Sequence, residues 1–238
     1  STMEKNYSQS DAEILDYAKN TFAPSDPVLE NAIKQMRGAG LPMIQVGEFD
    51  GLHLEVLTRA FGVTKAVEIG TLGGYSAICI ARGLRSKGFL WTIEYEQKHF
   101  DIATQVIANA GFKDRAGLLH GTALGELKNI ENDGPCDLVF IEADKVNYPN
   151  YYKWAVENLR VGGVLVADNT FAFGYIAQKN IADPELRASV ERHPKSLIGT
   201  FPKYLGTSLR YSFTVPPFQH SINSILGQKY LGRSSFFS

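Results

Sequence analysis

The sequence contains only two cysteines among 238 residues, Cys79 and Cys136. A small disulfide-stabilised framework needs several paired cysteines, so the sequence excludes that class of fold. Cys79 falls in a predicted helix and Cys136 lies beside a predicted strand. We therefore expect two buried, reduced thiols rather than a disulfide.

Long hydrophobic runs and an excess of charge of one sign are also missing. No stretch of about 18 apolar residues occurs, so we expect no membrane-spanning helix. The 24 Lys and Arg residues nearly balance the 25 Asp and Glu residues, which gives no electrostatic reason to expect a nucleic-acid partner. The first residues are polar and contain no apolar signal segment, so we expect a cytoplasmic protein.

The sequence does contain enough apolar residues for a sizeable core. Hydrophobic residues make up 44% of the chain, which fits a single domain over residues 1–238. Short apolar runs alternate with helical patterns, which is typical of an α/β fold with a mostly parallel, doubly wound sheet and helices on both faces. The runs predicted as parallel strands are 66–69, 90–93, 117–120, 137–141 and 164–167.

The ends of the chain are less regular. Residues 4–37 predict two small helices, the second beginning at Pro27, and two roles stay open for them: a cap over a site or a dimer element. Residues 197–201 and 208–215 predict two more strands, which makes a seven-stranded sheet. The short loop between them allows a C-terminal antiparallel hairpin but no parallel crossover. The tail 218–238 has no clear period and stays unassigned.

Two local patterns in the middle of the chain make finer predictions. Asp50 is placed to cap a helix whose apolar positions are Leu52, Val56, Leu57 and Ala60. The sequence Val161-Gly162-Gly163 predicts a turn between a helix near 151–159 and the fifth strand.

A glycine-rich turn follows the first strand. Glu68 is near the end of that strand, and Gly70, Gly73 and Gly74 come after it. Glycines in such a turn let the backbone approach a bound ligand closely, because they have no Cβ. The dinucleotide-binding pattern G-x-G-x-x-G needs glycine where this chain has Leu72, so an NAD-dependent oxidoreductase is disfavoured.

Polar or small residues occupy the carboxyl ends of all five predicted parallel strands, the edge where open α/β sheets bind ligands. They are Glu68, Glu94, the stretch 121–123, Glu142 with Asp144 and Lys145, and Asp168 with Asn169. A single acid is more simply explained as a helix cap, but repetition at five strand ends favours a binding site. Glu94 lies 24 residues after Gly70, a spacing close to that of an acid that accepts ribose hydroxyls.

Glu142, Asp168 and Asn169 come from adjacent predicted strands. Their carboxylate and amide oxygens suit Mg²⁺, Ca²⁺ or Mn²⁺ rather than zinc. The alternative is that they are ordinary helix caps and loop acids. A divalent cation beside Lys145 would favour its neutral amine, which could then take a proton from a hydroxyl. The alternative for Lys145 is a solvated surface lysine.

Together these motifs resemble one known family. Residues 43–175 are similar to the cation-dependent O-methyltransferases of the caffeoyl-CoA and catechol type, through V-E-I-G-T-L-G-G-Y-S at 67–76, I-E-A-D-K-V-N-Y-P-N-Y at 141–151 and G-G-V-L-V-A-D-N at 162–169. The resemblance implies a Rossmann-like class I methyltransferase fold that binds S-adenosylmethionine (SAM) and a divalent cation, usually as a homodimer. The implied reaction is methyl transfer from SAM to a hydroxyl of a small catechol-like or hydroxycinnamoyl-like acceptor.

The resemblance also implies roles for individual residues. Those implied for cofactor binding are Val46, Glu68, Gly70, Thr71, Ser76, Glu94, Ala123, Glu142 and Asp144. Within that set, Glu68, Gly70 and Ser76 would line the methionine side, Glu94 would hold the ribose, and Ala123 would border the adenine. The implied metal ligands are Glu142, Asp168 and Asn169, and the implied catalytic residues are Lys145, as base, and Asp168. The aromatic residues that are candidates to wall a flat acceptor are Tyr148, Phe171, Phe173 and Tyr175.

Two departures from the family pattern leave alternatives open. Glu142 stands where the family usually has aspartate, and its extra methylene moves the carboxylate outward by roughly 1.5 Å. A metal-independent SAM methyltransferase acting on another small-molecule acceptor, and a non-catalytic SAM-binding protein, are therefore the alternatives. Val46 stands where the family often has a hydroxyl residue, so a SAM contact there would come from the backbone.

Overall fold

A computed structural model describes residues 26–168 without a break, residues 13, 17, 20–22 and 187, and the backbone of 209–210 and 227–229. Residues 13, 17 and 20–22 are helical, in the region of the first predicted helix. Within the described ranges, no helix has the length and apolar character that crossing a membrane requires. Cys79 and Cys136 are buried free thiols, which confirms that prediction.

Among the described residues, seven strands form one sheet in the order β3-β2-β1-β4-β5-β7-β6. The strands are β1 (Lys65–Ile69), β2 (Phe89–Glu94), β3 (Ala116–His120), β4 (Cys136–Ile141), β5 (Leu159–Ala167), β6 (Leu209–Arg210) and β7 (Gly227–Lys229). Strands β1 to β5 pair in parallel, whereas β7 is antiparallel to both neighbours. The five runs predicted as parallel strands lie within β1 to β5, so the mostly parallel sheet is confirmed.

Two of the helices precede β1, and the others connect successive strands. Those with described bounds are α1 (Pro27–Gly38), α2 (Glu48–Ala60), α3 (Tyr75–Gly83), α4 (Gln97–Asn109), α5 (Ala123–Ile130) and α6 (Tyr148–Asn158). Short 3₁₀ turns cover Glu131–Asp133 and Lys145–Asn147. Helix α1 begins at Pro27 as predicted, because Asp26 caps it by accepting from the amides of Val28 and Leu29. Pro27 itself lacks the amide that a first helical residue would leave unpaired.

Two hydrophobic cores lie on opposite faces of the sheet. Side chains at alternate positions of a strand point to opposite faces, so Ala66 and Leu138 pack on the face of α1 to α4. Val67 and Val139, one residue further along each strand, pack on the face of α5 and α6. The predicted helices on both faces are therefore confirmed.

Helix α2 buries a different face from the predicted one. Leu52 and Val56 are 48% and 51% exposed, whereas Gly51 and Thr58 are buried. A Cβ on Gly51 would lie only 2.9 Å from the sulfur of Cys79. The missing side chain thus lets α2 pack closely against α3, a contact that apolar periodicity does not reveal.

Two finer predictions are also wrong. Asp50 lies in the first turn of α2, whose cap position is Gly47, so it does not cap the helix. Gly162 and Gly163 belong to β5 rather than to a turn. They lie where the β4–β5 register shifts, with Gly162 at φ +78°, as in a bulge that absorbs extra residues in one strand.

The last strand in chain order, β7, comes from an unexpected part of the chain. Strand β6 falls within the predicted strand 208–215, and its antiparallel partner is β7. Strand β7 comes from the tail 218–238 that the sequence left unassigned, and it lies between β5 and β6. The predicted strand 197–201 lies outside the described residues.

Candidate active site

A cavity of about 730 Å³ opens at the carboxyl edge of the sheet. Its walls come mainly from the segment 44–46, the turn after β1, the end of β2, the stretch 121–123 and residues 142–145, 147 and 151. This is the edge at which open α/β sheets bind ligands.

Most of the residues predicted to bind a cofactor line this cavity. Those that do are Val46, Gly70, Thr71, Ser76, Glu94, Ala123, Glu142 and Asp144, and the predicted base Lys145 joins them. Glu68 and Asp168 do not belong to the lining. Asn169 and the aromatic candidates Phe171, Phe173 and Tyr175 lie outside the described residues.

The glycine turn is tight for a reason other than the one expected from the sequence. Gly70 has φ +97°, and a Cβ there would overlap the carbonyl oxygen of Glu142. The missing side chain therefore lets the ends of β1 and β4 approach one another, rather than making room for a ligand. Gly74, with φ +87°, starts helix α3, and Leu72 has a left-handed backbone at φ +52°.

Glu94 is held by two backbone amides. Its Oε2 accepts from Leu72 N at 2.7 Å, and its Oε1 accepts from Glu96 N at 2.9 Å. His99 Nδ1 lies 3.7 Å from Oε1. The carboxylate lines the cavity in a fixed orientation, and each oxygen keeps a second lone pair for a ligand hydroxyl.

Glu68 lies beneath the cavity and is completely buried. It points to the same face of the sheet as Ala66, and Thr92 Oγ1 donates to its Oε2 at 2.5 Å. Burial raises the pKa of Glu68 to about 7, although the neighbouring hydroxyls of Ser76 and Thr92 lower it. Thr71 and Thr92 share a hydrogen bond of 2.5 Å, which joins Glu68 to the turn above it.

Two buried side-chain oxygens in this region, Gln45 Oε1 and Glu68 Oε1, have no hydrogen-bond partner among the described residues. Gln45 lines the cavity, and Glu68 lies directly below the glycine turn. Buried polar atoms are rarely left unpaired in proteins. Since Gln45 belongs to the cavity lining, its unpaired oxygen fits a polar ligand that brings a donor of its own.

A second group of contacts lies at the ends of β4 and β5. Lys145 Nζ is 3.4 Å from Glu142 Oε2 and 3.5 Å from the backbone oxygen of Asp168. It also donates to the hydroxyl of Tyr148. Burial and the charges of Glu142 and Asp168 hold the pKa of Tyr148 well above its usual range, so that hydroxyl stays protonated.

Tyr148 does not wall the cavity, contrary to the expectation from the sequence. Its side chain is completely buried, and its hydroxyl faces backbone oxygens at the ends of β4 and β5. The ring packs in the core on the α6 face of the sheet. Tyr151, one turn later on α6, lines the cavity instead.

Asp144 shapes the turn that carries Lys145. It caps the 3₁₀ turn by accepting from Asn147 N at 3.2 Å and from Asn147 Nδ2 at 2.7 Å. Tyr151 Oη donates to its other oxygen. Asp144 therefore fixes the turn and also lines the cavity.

Several lining residues were missed from the sequence, notably Gln45, Tyr95, His99 and Tyr151. Tyr95 directly follows the predicted ribose acid and is 65% exposed, a position that could have identified it. His99 and Tyr151 lie on helices after strand ends, and only the helix orientation shows that they face the cavity.

Comparison with known proteins identifies this arrangement. The family model for O-methyltransferases matches residues 19–199. The catechol O-methyltransferase of Mycobacterium tuberculosis is 36% identical over 195 residues, which cover 82% of this chain and 86% of the relative. A catechol O-methyltransferase of Niastella koreensis is 34% identical and covers 73% of this chain and 79% of its own.

A solved structure agrees in the fold. The O-methyltransferase of Bacillus cereus in complex with SAH superposes with a TM-score of 0.78 at 30% identity, covering 95% of this chain and all of the other. The glycine turn, the acid at the end of β2 and the cavity between them thus lie in the fold of SAM-dependent enzymes. The chain belongs to the O-methyltransferase family and is a SAM-dependent O-methyltransferase.

Proposed function

We propose that the enzyme methylates one hydroxyl of a small aromatic acceptor with two neighbouring oxygens, catechol-like or hydroxycinnamoyl-like, with the assistance of a divalent cation. The observation that carries the proposal is the group formed by Lys145, Glu142 and Asp168 beside the SAM cavity. The amine can receive a proton, and two carboxylates at neighbouring strand ends could hold a divalent cation that would stabilise a developing oxyanion. Catechol is also the acceptor named for the two similar bacterial relatives.

The donor chemistry at this edge fits a hard divalent cation. Glu142 and Asp168 end adjacent parallel strands, since Ile141 pairs with Ala167, and Lys145 Nζ contacts both residues. Within residues 26–168, no three Asp, Glu, His or Cys side chains are placed to hold a metal ion together, so the third ligand in the proposal is the amide of Asn169. Such a cation would supply charge neutralisation for the acceptor oxygens and would favour the neutral amine of Lys145.

The residues of the chain would then act one after another during the reaction. Glu94, held by two backbone amides, accepts the ribose hydroxyls of SAM and fixes the cofactor. Lys145 takes the proton of the acceptor hydroxyl. The resulting oxyanion attacks the SAM methyl carbon in line, so that a C–O bond forms as the C–S bond breaks and SAH leaves. The proton stays on Lys145, and positioning supplies most of the rate enhancement.

The proposal includes a homodimer, which the resemblance implies. The exposed apolar residues Leu52 and Val56 on α2 support it, because they lie one turn apart on one side of the helix. Light scattering coupled to size exclusion tests this part. A mass of about twice 26.3 kDa is expected, and a monomer would contradict it.

A methyl-transfer screen with labelled SAM tests the activity. Catechols and dihydroxycinnamates are compared with ring-matched acceptors that carry a single hydroxyl, each with Mg²⁺ and with excess chelator. We expect product from the vicinal diols, loss of product in chelator, and no product from the monohydroxy compounds. Methylation of the monohydroxy compounds at the same rate would contradict the proposed acceptor.

A second mechanism has one observation in its favour. The ammonium of Lys145 already pairs with Glu142, so the chain carries a cation at the place where the metal is proposed. If product forms equally well in chelator, the metal-independent mechanism replaces the metal-assisted one, and the acceptor is then identified from the same screen.

A further inference from the structure

We propose that Tyr148 is a positioning residue that holds the amine of Lys145 at the acceptor side of the cavity. The inference rests on the role proposed above for Lys145 as the base. Tyr148 itself does not touch the cavity, so it acts through Lys145 alone.

The hydroxyl of Tyr148 lies at the junction of three elements. It is 3.1 Å from the backbone oxygen of Asp168 after β5 and 3.3 Å from that of Ile141 at the end of β4. Its third neighbour is Lys145 Nζ, at the start of the 3₁₀ turn. The side chain is completely buried, so this geometry is set by the sheet rather than by solvent.

The donors and acceptors around the Tyr148 hydroxyl determine which group donates in its hydrogen bond with Lys145. A tyrosine hydroxyl has one proton and two lone pairs. The two backbone oxygens can only accept, so the proton points towards them and the lone pairs point towards Lys145. The ring adds a second contact, because Lys145 Nζ lies 4.3 Å from its centroid. The amine is therefore directed by a fixed acceptor on one side and by Glu142 on the other.

A long lysine side chain needs such a constraint. Its stem has several rotatable bonds, and an unguided amine would spend much of its time away from the reacting oxygen. The 3₁₀ turn fixes the backbone of Lys145 through Asp144, and the hydroxyl of Tyr148 fixes the other end of the side chain. Removing that hydroxyl should lower the fraction of enzyme with a correctly placed base.

The test is a double-mutant cycle of Tyr148→Phe, Lys145→Met and the two changes together. Phenylalanine keeps the ring and its packing and removes only the hydroxyl. We expect Tyr148→Phe to lower kcat about tenfold, because the amine loses one hydrogen bond. The KM for SAM and for the acceptor should stay within about twofold. Lys145→Met should lower kcat about a hundredfold or more.

The matched control is Tyr152→Phe, the same chemical change on the same helix. Tyr152 is buried in the same core one helical turn beyond Tyr148, further along the chain from Lys145, so its variant should keep the wild-type kcat. The SAM dissociation constant and the thermal midpoint of each variant show whether the fold is intact.

The decisive result is the behaviour of the double variant. If Tyr148 acts through Lys145, adding Tyr148→Phe to Lys145→Met has no further effect on kcat. An equal loss in both backgrounds would show a merely structural role and overturn the proposal, while leaving Lys145 as the base. Full activity of Lys145→Met would overturn both the base and its positioning residue, whereas unchanged kcat in Tyr148→Phe alone would overturn only the positioning role.

Discussion

The backbone amide of Leu72 donates to Glu94 Oε2 at 2.7 Å, and this hydrogen bond joins the turn after β1 to the acid at the end of β2. The left-handed backbone of Leu72 directs its N–H towards the carboxylate. Because Glu96 N holds the other oxygen, Glu94 is oriented before SAM arrives. Binding of the ribose and the conformation of the turn are therefore linked.

Replacing Glu94 by alanine should weaken SAM binding. The loss should be about 1.5–3 kcal/mol, the range for hydrogen bonds to a charged group. Isothermal titration calorimetry measures it directly. Glu96→Ala is the matched control, since it removes an exposed carboxylate two residues away that makes no cap hydrogen bond. Equal SAM dissociation constants for Glu94→Ala and wild type would show that Glu94 does not hold the ribose.

The protein should be more stable with glycine at position 72 than with alanine. Both changes remove the leucine side chain beyond Cβ. Only alanine keeps the Cβ, and with it the strain of a left-handed backbone, which costs about 1–2 kcal/mol. Urea unfolding of the SAM-free variants should therefore favour Leu72→Gly over Leu72→Ala by about 1 kcal/mol. At Thr104, which is exposed within α4, the order should be reversed, because glycine destabilises a helix. The same order at both positions would argue against strain at Leu72.

The parallel part of the sheet could be predicted because its strands are short apolar runs bounded by polar residues. The same signal located the strand ends, so Glu94, Glu142 and Lys145 were placed correctly at one cavity. Glu68 does not belong to the lining. Glu68 lies inside β1 and points to the face of Ala66 and Leu90, whereas Glu94 is the last residue of β2 and lines the cavity.

Contacts made without apolar side chains could not be predicted. Helix α2 packs through Gly51, Leu54 and Thr58, and two of these three residues carry little hydrophobic signal, so the apolar Leu52 and Val56 misled the assignment. The role of Gly70 depends on the approach of Glu142 from another strand. The contact of Tyr148 with Lys145 depends on the geometry of a 3₁₀ turn, which no periodicity encodes.

Replacing Asp168 by alanine should abolish turnover and leave SAM binding within about twofold of wild type. The change removes the carboxylate but keeps the backbone oxygen that Lys145 and Tyr148 contact. Binding of Mn²⁺, followed by electron paramagnetic resonance, should be lost in parallel with activity. The control is Asp133→Ala, which removes an exposed carboxylate before β4. Wild-type activity in Asp168→Ala would refute the metal-assisted mechanism.

Glu68 should make the SAM-free protein less stable as pH rises. Burial raises its pKa to about 7 in the folded state, above the ordinary value of 4.5, so the folded state binds the proton more tightly than the unfolded state. The contribution of this proton to the free energy of unfolding is fully present below pH 4.5 and is lost as the pH rises through 7. The loss amounts to roughly 3 kcal/mol.

Glu68→Gln removes this titration, because its amide stays neutral at every pH. The free energy of unfolding, measured in urea at pH 5 and pH 8, should therefore shift in favour of the variant at the higher pH. Glu157→Gln, an exposed change on α6, serves as the surface control. A constant difference between Glu68→Gln and wild type at the two pH values would show that Glu68 is already ionised in the folded protein at pH 5.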